Sequence, residues 1–399
     1  MKQSYDFIVI GCGGLGSAAL YWLARQAGKE VLGIEQFHLG HPNGASQDHS
    51  RIIRLSYDNP HYAALTPYTY IAWREVEAEA GLQLVHRTGG VIFGRTDLPG
   101  GCAVDAYADA MRSTGIPFEA LSAAELGRRF PQFRLQVNEK ALYQASDGFI
   151  DPGKATAAHA TLARGHGATI LEETPVLGLR PTADGVEVET GAGVFHGKRL
   201  VVASGAWTNK VLQGAGIRLP LTVTEEQVTY FATPDLRLFA PDRFPVWIYH
   251  GEVGFYGFPV YGEVGVKAGQ DLGGDVVTPE TRAFQPNPRP LARLQAFLAS
   301  HIPEALGPVL YTKPCLYTMP PDRGFIVDIL PGLPQISLAI GAGHAFKFAS
   351  LIGLILSQLA MDGKSVYPID AFSLRRPAIT DPDFVWQVPR GEKASLDEG

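Results

Sequence analysis

No stretch constrains this chain more than Phe7 to Glu35. Phe7-Ile8-Val9-Ile10 is a short apolar run, as a strand buried on both faces of a parallel sheet requires. Gly11-Cys12-Gly13-Gly14-Leu15-Gly16 follows at once, and Leu15, Ala18, Ala19, Trp22 and Leu23 then recur at helical spacing. A second apolar strand, Val31-Leu32-Gly33-Ile34, ends at Glu35. Gly11 permits the tight turn, Gly13 keeps a side chain away from a pyrophosphate, and Gly16 lets helix and sheet approach closely. The free N–H groups and positive end of the helix suit phosphate. Glu35 stands about 20 residues beyond the glycines, where a carboxylate accepts hydrogen bonds from an adenosine ribose. An acid there, rather than an arginine, disfavours a 2′-phosphate. The stretch predicts a dinucleotide site, for FAD or NAD, facing Gly11, Gly13, Gly14, Gly16 and Glu35. The alternative is a glycine turn that packs tightly and binds nothing.

A chain of 399 residues with 46% hydrophobic residues can bury a large core, and two domains are expected. Its net charge of -6, without Lys/Arg runs, gives no reason to expect nucleic acid or an anionic membrane as partner. Cys12, Cys102 and Cys315 are too few for a disulfide framework. Met1 to Asp6 leads straight into the first strand, with no room for a cleavable signal, and no apolar run is long enough to span a bilayer. A cytoplasmic location is expected. His38, His41, His49 and His61 lack the spacing of a zinc site, and no metal is expected.

Beyond Glu35, the stretch from Gln36 to Ser50 is a loop rich in Gly, His, Asn and Ser. It runs into Arg51-Ile52-Ile53-Arg54, where the arginines are either solvated or inward-facing cations near a cofactor, one forking onto a substrate carboxylate. Pro60 to Gly81 reads as a helix, Gly89 to Gly94 as a strand, and Ala103–Thr114 and Ala123–Phe130 as short helices. Asp151-Pro152 opens a helix to His166. Ala168 to Leu171 and Leu200 to Trp207 are further strands. Gln227–Phe231, Val246–Tyr249, Gly254–Phe258 and Gly262–Ala268 predict an antiparallel sheet in a second domain. A helix over Pro286–Ile302 follows, and Tyr311–Thr318, Phe325–Ile329 and Ile336–Gly341 are expected to return to the first domain. Gly341-Ala342-Gly343-His344 opens a last helix, Ala345–Met361.

Thr312-Lys313-Pro314-Cys315-Leu316-Tyr317-Thr318, with Asp322 and Phe325-Ile326-Val327-Asp328, resembles the segment that carries covalent FAD in the monomeric sarcosine oxidase and N-methyltryptophan oxidase family. The resemblance extends through Phe7–Glu35, Arg51–Arg54, Ser204-Gly205-Ala206-Trp207, Tyr256-Gly257-Phe258-Pro259 and Gly343-His344-Ala345-Phe346-Lys347. It implies FAD rather than NAD and a D-amino-acid-oxidase-like fold. That fold is α/β with an α+β insert: a Rossmann-like FAD domain from discontinuous segments and a mixed, antiparallel-sheet substrate domain. The expected boundaries are 1–85, 145–218 and 320–380 for FAD, 86–144 and 219–319 for substrate, and 381–399 for a tail. Cys315 would carry the thioether to the flavin. Val176, Trp207, Gly341, Gly343 and Lys347 would contact the cofactor, and Arg51 would lie close to the flavin ring. Arg54 and Lys347 would grip a substrate carboxylate, Tyr256 would line the pocket, and Lys267 would face the side where oxygen is reduced.

Two positions depart from the family pattern. Asp271 stands where sarcosine oxidases have a histidine, and a carboxylate there would hold a cationic amine or sugar hydroxyls. Gln47 stands in place of a histidine before Arg51, with His49 close by. The implied activity is oxidation of the secondary amine of an N-substituted, N-methyl-type amino acid. The imine hydrolyses and oxygen becomes hydrogen peroxide, in an enzyme expected to be monomeric. A fructosyl-amino-acid oxidase and a flavin amine dehydrogenase are the alternatives.

Overall fold

The computed structural model describes residues 2–98 and 101–389. Its first sheet has eight strands. Ser4–Ile10 lies at the centre, parallel to Val31–Ile34 on one side and to Gly193–Val202 on the other. Thr169–Leu171 extends the sheet in parallel beyond Val31–Ile34, and Ile336–Ile340 pairs in parallel with Gly193–Val202. The central strands are buried on both faces, which explains their unbroken apolar runs. The helix Gly14–Ala27 packs on this sheet beside Pro152–Gly165 and Ala349–Asp362. The last of these comes close enough that a Cβ on Gly353 would lie 2.5 Å from Ala18.

The second sheet has nine strands, antiparallel except where Val246–His250 runs beside Gly90–Arg95. Its aromatic core includes Phe93, Phe231, Trp247 and Phe297. A small third sheet joins Arg51–Ile53, Gly148–Ile150 and Val85–Arg87. The helix Pro60–Ala80 ends at Gly81, whose φ of 65° closes it in the left-handed region. Among the described residues, no helix is long and apolar enough to cross a membrane.

Four local expectations are corrected. Tyr311–Thr318 does not return to the first sheet. It lies in Val309–Met319, which runs antiparallel along Thr222–Phe231 in the second. The strand expected from Leu200 to Trp207 runs instead from Gly193 to Val202 and gives way to a 3₁₀ turn at Gly205–Trp207. The strand expected from Gly262 begins at Val266, because Gly262 sits in a turn at φ 75°. The last helix is preceded by a 3₁₀ turn, Phe346–Phe348, which carries Lys347. Of the tail, Gln387 N–H bonds Pro321 C=O at 2.8 Å, whereas residues 390–399 lie outside the described residues.

Candidate active site

The first strand delivers the glycine turn. Gly11 has φ 87°, and a Cβ there would lie 2.7 Å from Ala203 O. A Cβ on Gly16 would lie 1.7 Å from Gly11 O, so only glycine lets the helix start against the strand. Gly13 is different: its Cβ would meet only the Ser46 hydroxyl, at 3.3 Å. Gly14 N–H donates to that hydroxyl at 2.7 Å, so the helix start is aimed at an acceptor. Glu35 accepts from Cys12 N–H at 2.8 Å and Phe37 N–H at 3.1 Å. Burial resists its charge, but His41 and these amides outweigh it and hold its carboxyl below the ordinary value.

One cavity of about 1030 Å³ touches Gly11, Gly13, Gly14 and Glu35, and also Val176, Trp207, Gly341 and Gly343. Gly16 lies outside its wall, in keeping with a packing role. A Cβ on Gly343 would lie 2.4 Å from the Tyr317 ring, and the residue sits at φ 80°. The same cavity reaches Arg51, Arg54, Tyr256, Lys267, Cys315 and Lys347. Its size and its glycine cradle fit a dinucleotide as long as FAD.

Arg51 and Lys267 gather beside Cys315. Lys267 is fully buried and donates to Ser50 C=O at 2.6 Å, with Asp48 Oδ2 at 2.5 Å. Burial pushes its ammonium down to about 8, against the pull of Asp48. Arg51 donates to Gln47 C=O at 2.7 Å and Ser50 C=O at 2.9 Å. Burial raises the Cys315 thiol to about 11, and Arg51 and Lys267 pull it the other way. Gln47 donates to Pro314 C=O at 3.1 Å, next to Cys315, and its own Oε1 is buried without a partner. His49 turns to Glu263, at 3.0 Å.

Arg54 and Lys347 meet across Tyr57. The Arg54 guanidinium lies 4.2 Å from the Tyr57 ring centre, and Lys347 Nζ donates to the Tyr57 hydroxyl at 3.1 Å. Arg54 also donates to Tyr107 Oη at 2.8 Å, which lies 3.2 Å from His250 Nε2. Among the described residues neither cation has a carboxylate partner, and Arg54 Nε is buried without any partner. Burial, then Arg54, pushes Lys347 well below its ordinary value. The Trp73 indole donates to Lys347 C=O at 2.7 Å and fixes the turn that carries it.

Asp271 reaches the cavity already paired with a cation of this chain. Arg323 donates to both its oxygens, at 2.6 and 3.0 Å. Burial opposes its charge, and Arg323 overrides that and keeps the carboxyl below its ordinary value. Tyr256 lines the wall beside Tyr317. Residue patterns alone missed Ser46, Asp48, Tyr57, Tyr107, His250 and Arg323. The only signal was their position: Ser46 and Asp48 fall in the loop already marked by its length beside a dinucleotide turn.

A glycine turn at the parallel centre of a mixed sheet, with a ligand cavity that runs under a second, mostly antiparallel sheet, defines a dinucleotide-binding class of protein. Residues 6–359 match the family of FAD dependent oxidoreductases, and the chain belongs to that family. It is 35% identical over 390 residues to the monomeric sarcosine oxidase of Streptomyces avermitilis, covering 95% of this chain and 99% of that one. It is 30% identical over 383 residues to the N-methyl-L-tryptophan oxidase of Escherichia coli, covering 94% and 100%. The open form of NikD, an unusual amino acid oxidase essential for nikkomycin biosynthesis, superposes with a TM-score of 0.82 at 30% identity, covering 93% of this chain and 98% of that one.

Proposed function

We propose that this chain oxidises the secondary amine of an N-substituted, N-methyl-type amino acid, using FAD attached through Cys315 and passing the electrons to oxygen. One observation carries the reading. Half-buried Arg54 and buried Lys347 meet on Tyr57 with no carboxylate partner among the described residues, in the cavity that also holds Cys315, Lys267 and the glycine turn. Cations taken out of water are costly until an anion joins them, and an amino acid's carboxylate supplies one.

FAD held in this cavity would supply the acceptor for two electrons from the amine and the means of reducing oxygen to hydrogen peroxide. The chain's own residues bind and orient. Arg54 forks onto the carboxylate and Lys347 adds a point charge, so the substrate is held in one direction. Tyr256 walls the pocket. Lys267 offers a buried ammonium on the oxygen side, where negative charge develops. Arg51 and Lys267 are the cations that favour the Cys315 thiolate, the form that bonds to FAD. The similarity to sarcosine and N-methyl-L-tryptophan oxidases supports an N-methyl-type substrate over a fructosyl one, and Arg323 already neutralises the charge of Asp271. Residues 1–85, 145–218 and 320–380 would hold FAD, and 86–144 and 219–319 would roof the substrate. The enzyme would act as a cytoplasmic monomer.

Anaerobic mixing with matched N-methyl and N-fructosyl amino acids tests this. Bleaching of the flavin absorbance by the N-methyl set, and peroxide on admitting air, are expected. Bleaching by the fructosyl set alone would replace the substrate, and reoxidation only by an added carrier would make the enzyme a dehydrogenase.

A further inference from the structure

We propose that Asp48 is a positioning residue for oxygen reduction, holding Lys267 as an ammonium in the cavity wall through a buried ion pair. The proposal rests on the reading of Lys267 as the oxygen-side cation. The pair is closed to water: Lys267 Nζ and Asp48 Oδ2 lie 2.5 Å apart, with side chains only 2% and 1% exposed. A lone ammonium at such a place would shed its proton. Asp48 has further ties that fix it for this task. Tyr230 donates its hydroxyl to Oδ1 at 2.7 Å, and Arg51 approaches Oδ2 at 3.4 Å. Its backbone sits at φ 92°, a conformation that a non-glycine residue keeps only where its surroundings impose it.

The groups facing Lys267 come from five elements. The loop supplies Asp48 and the Ser50 carbonyl and hydroxyl, and the strand Arg51–Ile53 supplies Arg51. Thr222–Phe231 supplies the Tyr230 ring, 5.9 Å away, and Gly254–Phe258 supplies the Phe258 ring, 4.5 Å away. Val309–Met319 supplies the Cys315 thiol. Asp48 is the one carboxylate in this set. Burial and Arg51 both push Lys267 toward the neutral amine, and Asp48 is the main force against them. Without it Lys267 would lose its own positive charge near neutral pH, and the slow first electron transfer to oxygen would lose the stabilisation that this ammonium supplies.

The test follows reoxidation of substrate-reduced holoenzyme by oxygen across pH, and separately the visible absorbance of the oxidised flavin across pH, which involves no turnover. Wild-type reoxidation should fall as the pH rises through deprotonation of Lys267. Asp48→Asn should move that fall toward acid by about one pH unit or more, and should move the spectral midpoint with it. Asp48→Glu should bring both at least halfway back. Unmoved midpoints in Asp48→Asn, or a shift that Asp48→Glu does not reverse, would overturn the proposal. Should Asp48→Asn fail to fold, Tyr230→Phe keeps the carboxylate and removes a competing donor. Its midpoints should move toward alkali, and no shift or an acid shift would overturn the proposal. Lys267→Met separates the two readings. If it reoxidised at the wild-type rate, the oxygen role of Lys267 would fall, while a spectral shift in Asp48→Asn would still report the pair.

Discussion

At the scale of the residue, burial and charge compete, and the outcome differs from site to site. Cys315 is a thiol that burial disfavours as a nucleophile, so the proposed bond to FAD would depend on Arg51 and Lys267 beside it. Cys315→Ser should therefore leave yellow protein whose flavin is released by acid, whereas the wild type keeps its colour on the precipitated chain. Flavin still attached after that change would refute the linkage. His159 shows burial without compensation. It lies between the rings of Tyr21 and Trp73, and neither ring nitrogen has a partner among the described residues. Burial pushes its imidazole down to about 3, so the folded chain keeps it neutral while the unfolded chain protonates it below about 6.5. Its folded pKa is depressed, so its contribution is intact above pH 6.5 and is lost as the pH falls toward 3. The slope is about 1.4 kcal/mol per pH unit once well below 6.5. In urea unfolding at pH 5 and pH 8, His159→Leu should gain stability relative to wild type mainly at pH 5. An equal difference at both pH values would show that the ring is not held neutral.

At the scale of the element, the glycine turn separates packing from binding. Gly16→Ala drives a Cβ into Gly11 O and should destabilise the apoprotein by about 1–3 kcal/mol, read as a lower urea midpoint. Gly13→Ala meets only a hydroxyl that can turn aside, so the apoprotein should unfold as wild type does while FAD protects it far less. Equal loss in both apoproteins would mean that Gly13 serves packing alone. The same contrast explains what residue patterns could reveal. Strands buried on both faces and helices with clear stops, such as Pro60–Ala80 before Gly81, announce themselves by local periodicity. Tyr311–Thr318 does not: its run fits either sheet, and only pairing along Thr222–Phe231 decides. Cys315, Arg54, Lys347 and Lys267 were legible through family resemblance, not through their surroundings. Asp48 looks like any loop acid until the fold brings Lys267 to it from the second sheet. Asp271 reaches the cavity, and its partner Arg323 sits in a turn 52 residues further on, which no local pattern connects.

At the scale of the whole molecule, the cavity lies where two sheets contribute opposite walls. The glycine turn and Glu35 come from the first, and Lys267, Tyr256 and Cys315 from strands of the second. A cofactor held at both ends would tie the sheets together, and its effect on stability should depend on how it is held. A ligand bound reversibly stabilises the fold by mass action, by about 2.7 kcal/mol at a hundredfold excess over its Kd, and by less on dilution. A cofactor bonded through Cys315 cannot be diluted away. Wild-type holoenzyme should therefore melt at one temperature across a hundredfold range of protein concentration. Cys315→Ser, prepared with one equivalent of FAD, should melt at progressively lower temperature as it is diluted, and added free FAD should restore it. A wild-type melting point that tracked dilution and free FAD in the same way would mean that the flavin is held by the glycine turn and the cavity walls alone, with Cys315 a bystander in the second sheet.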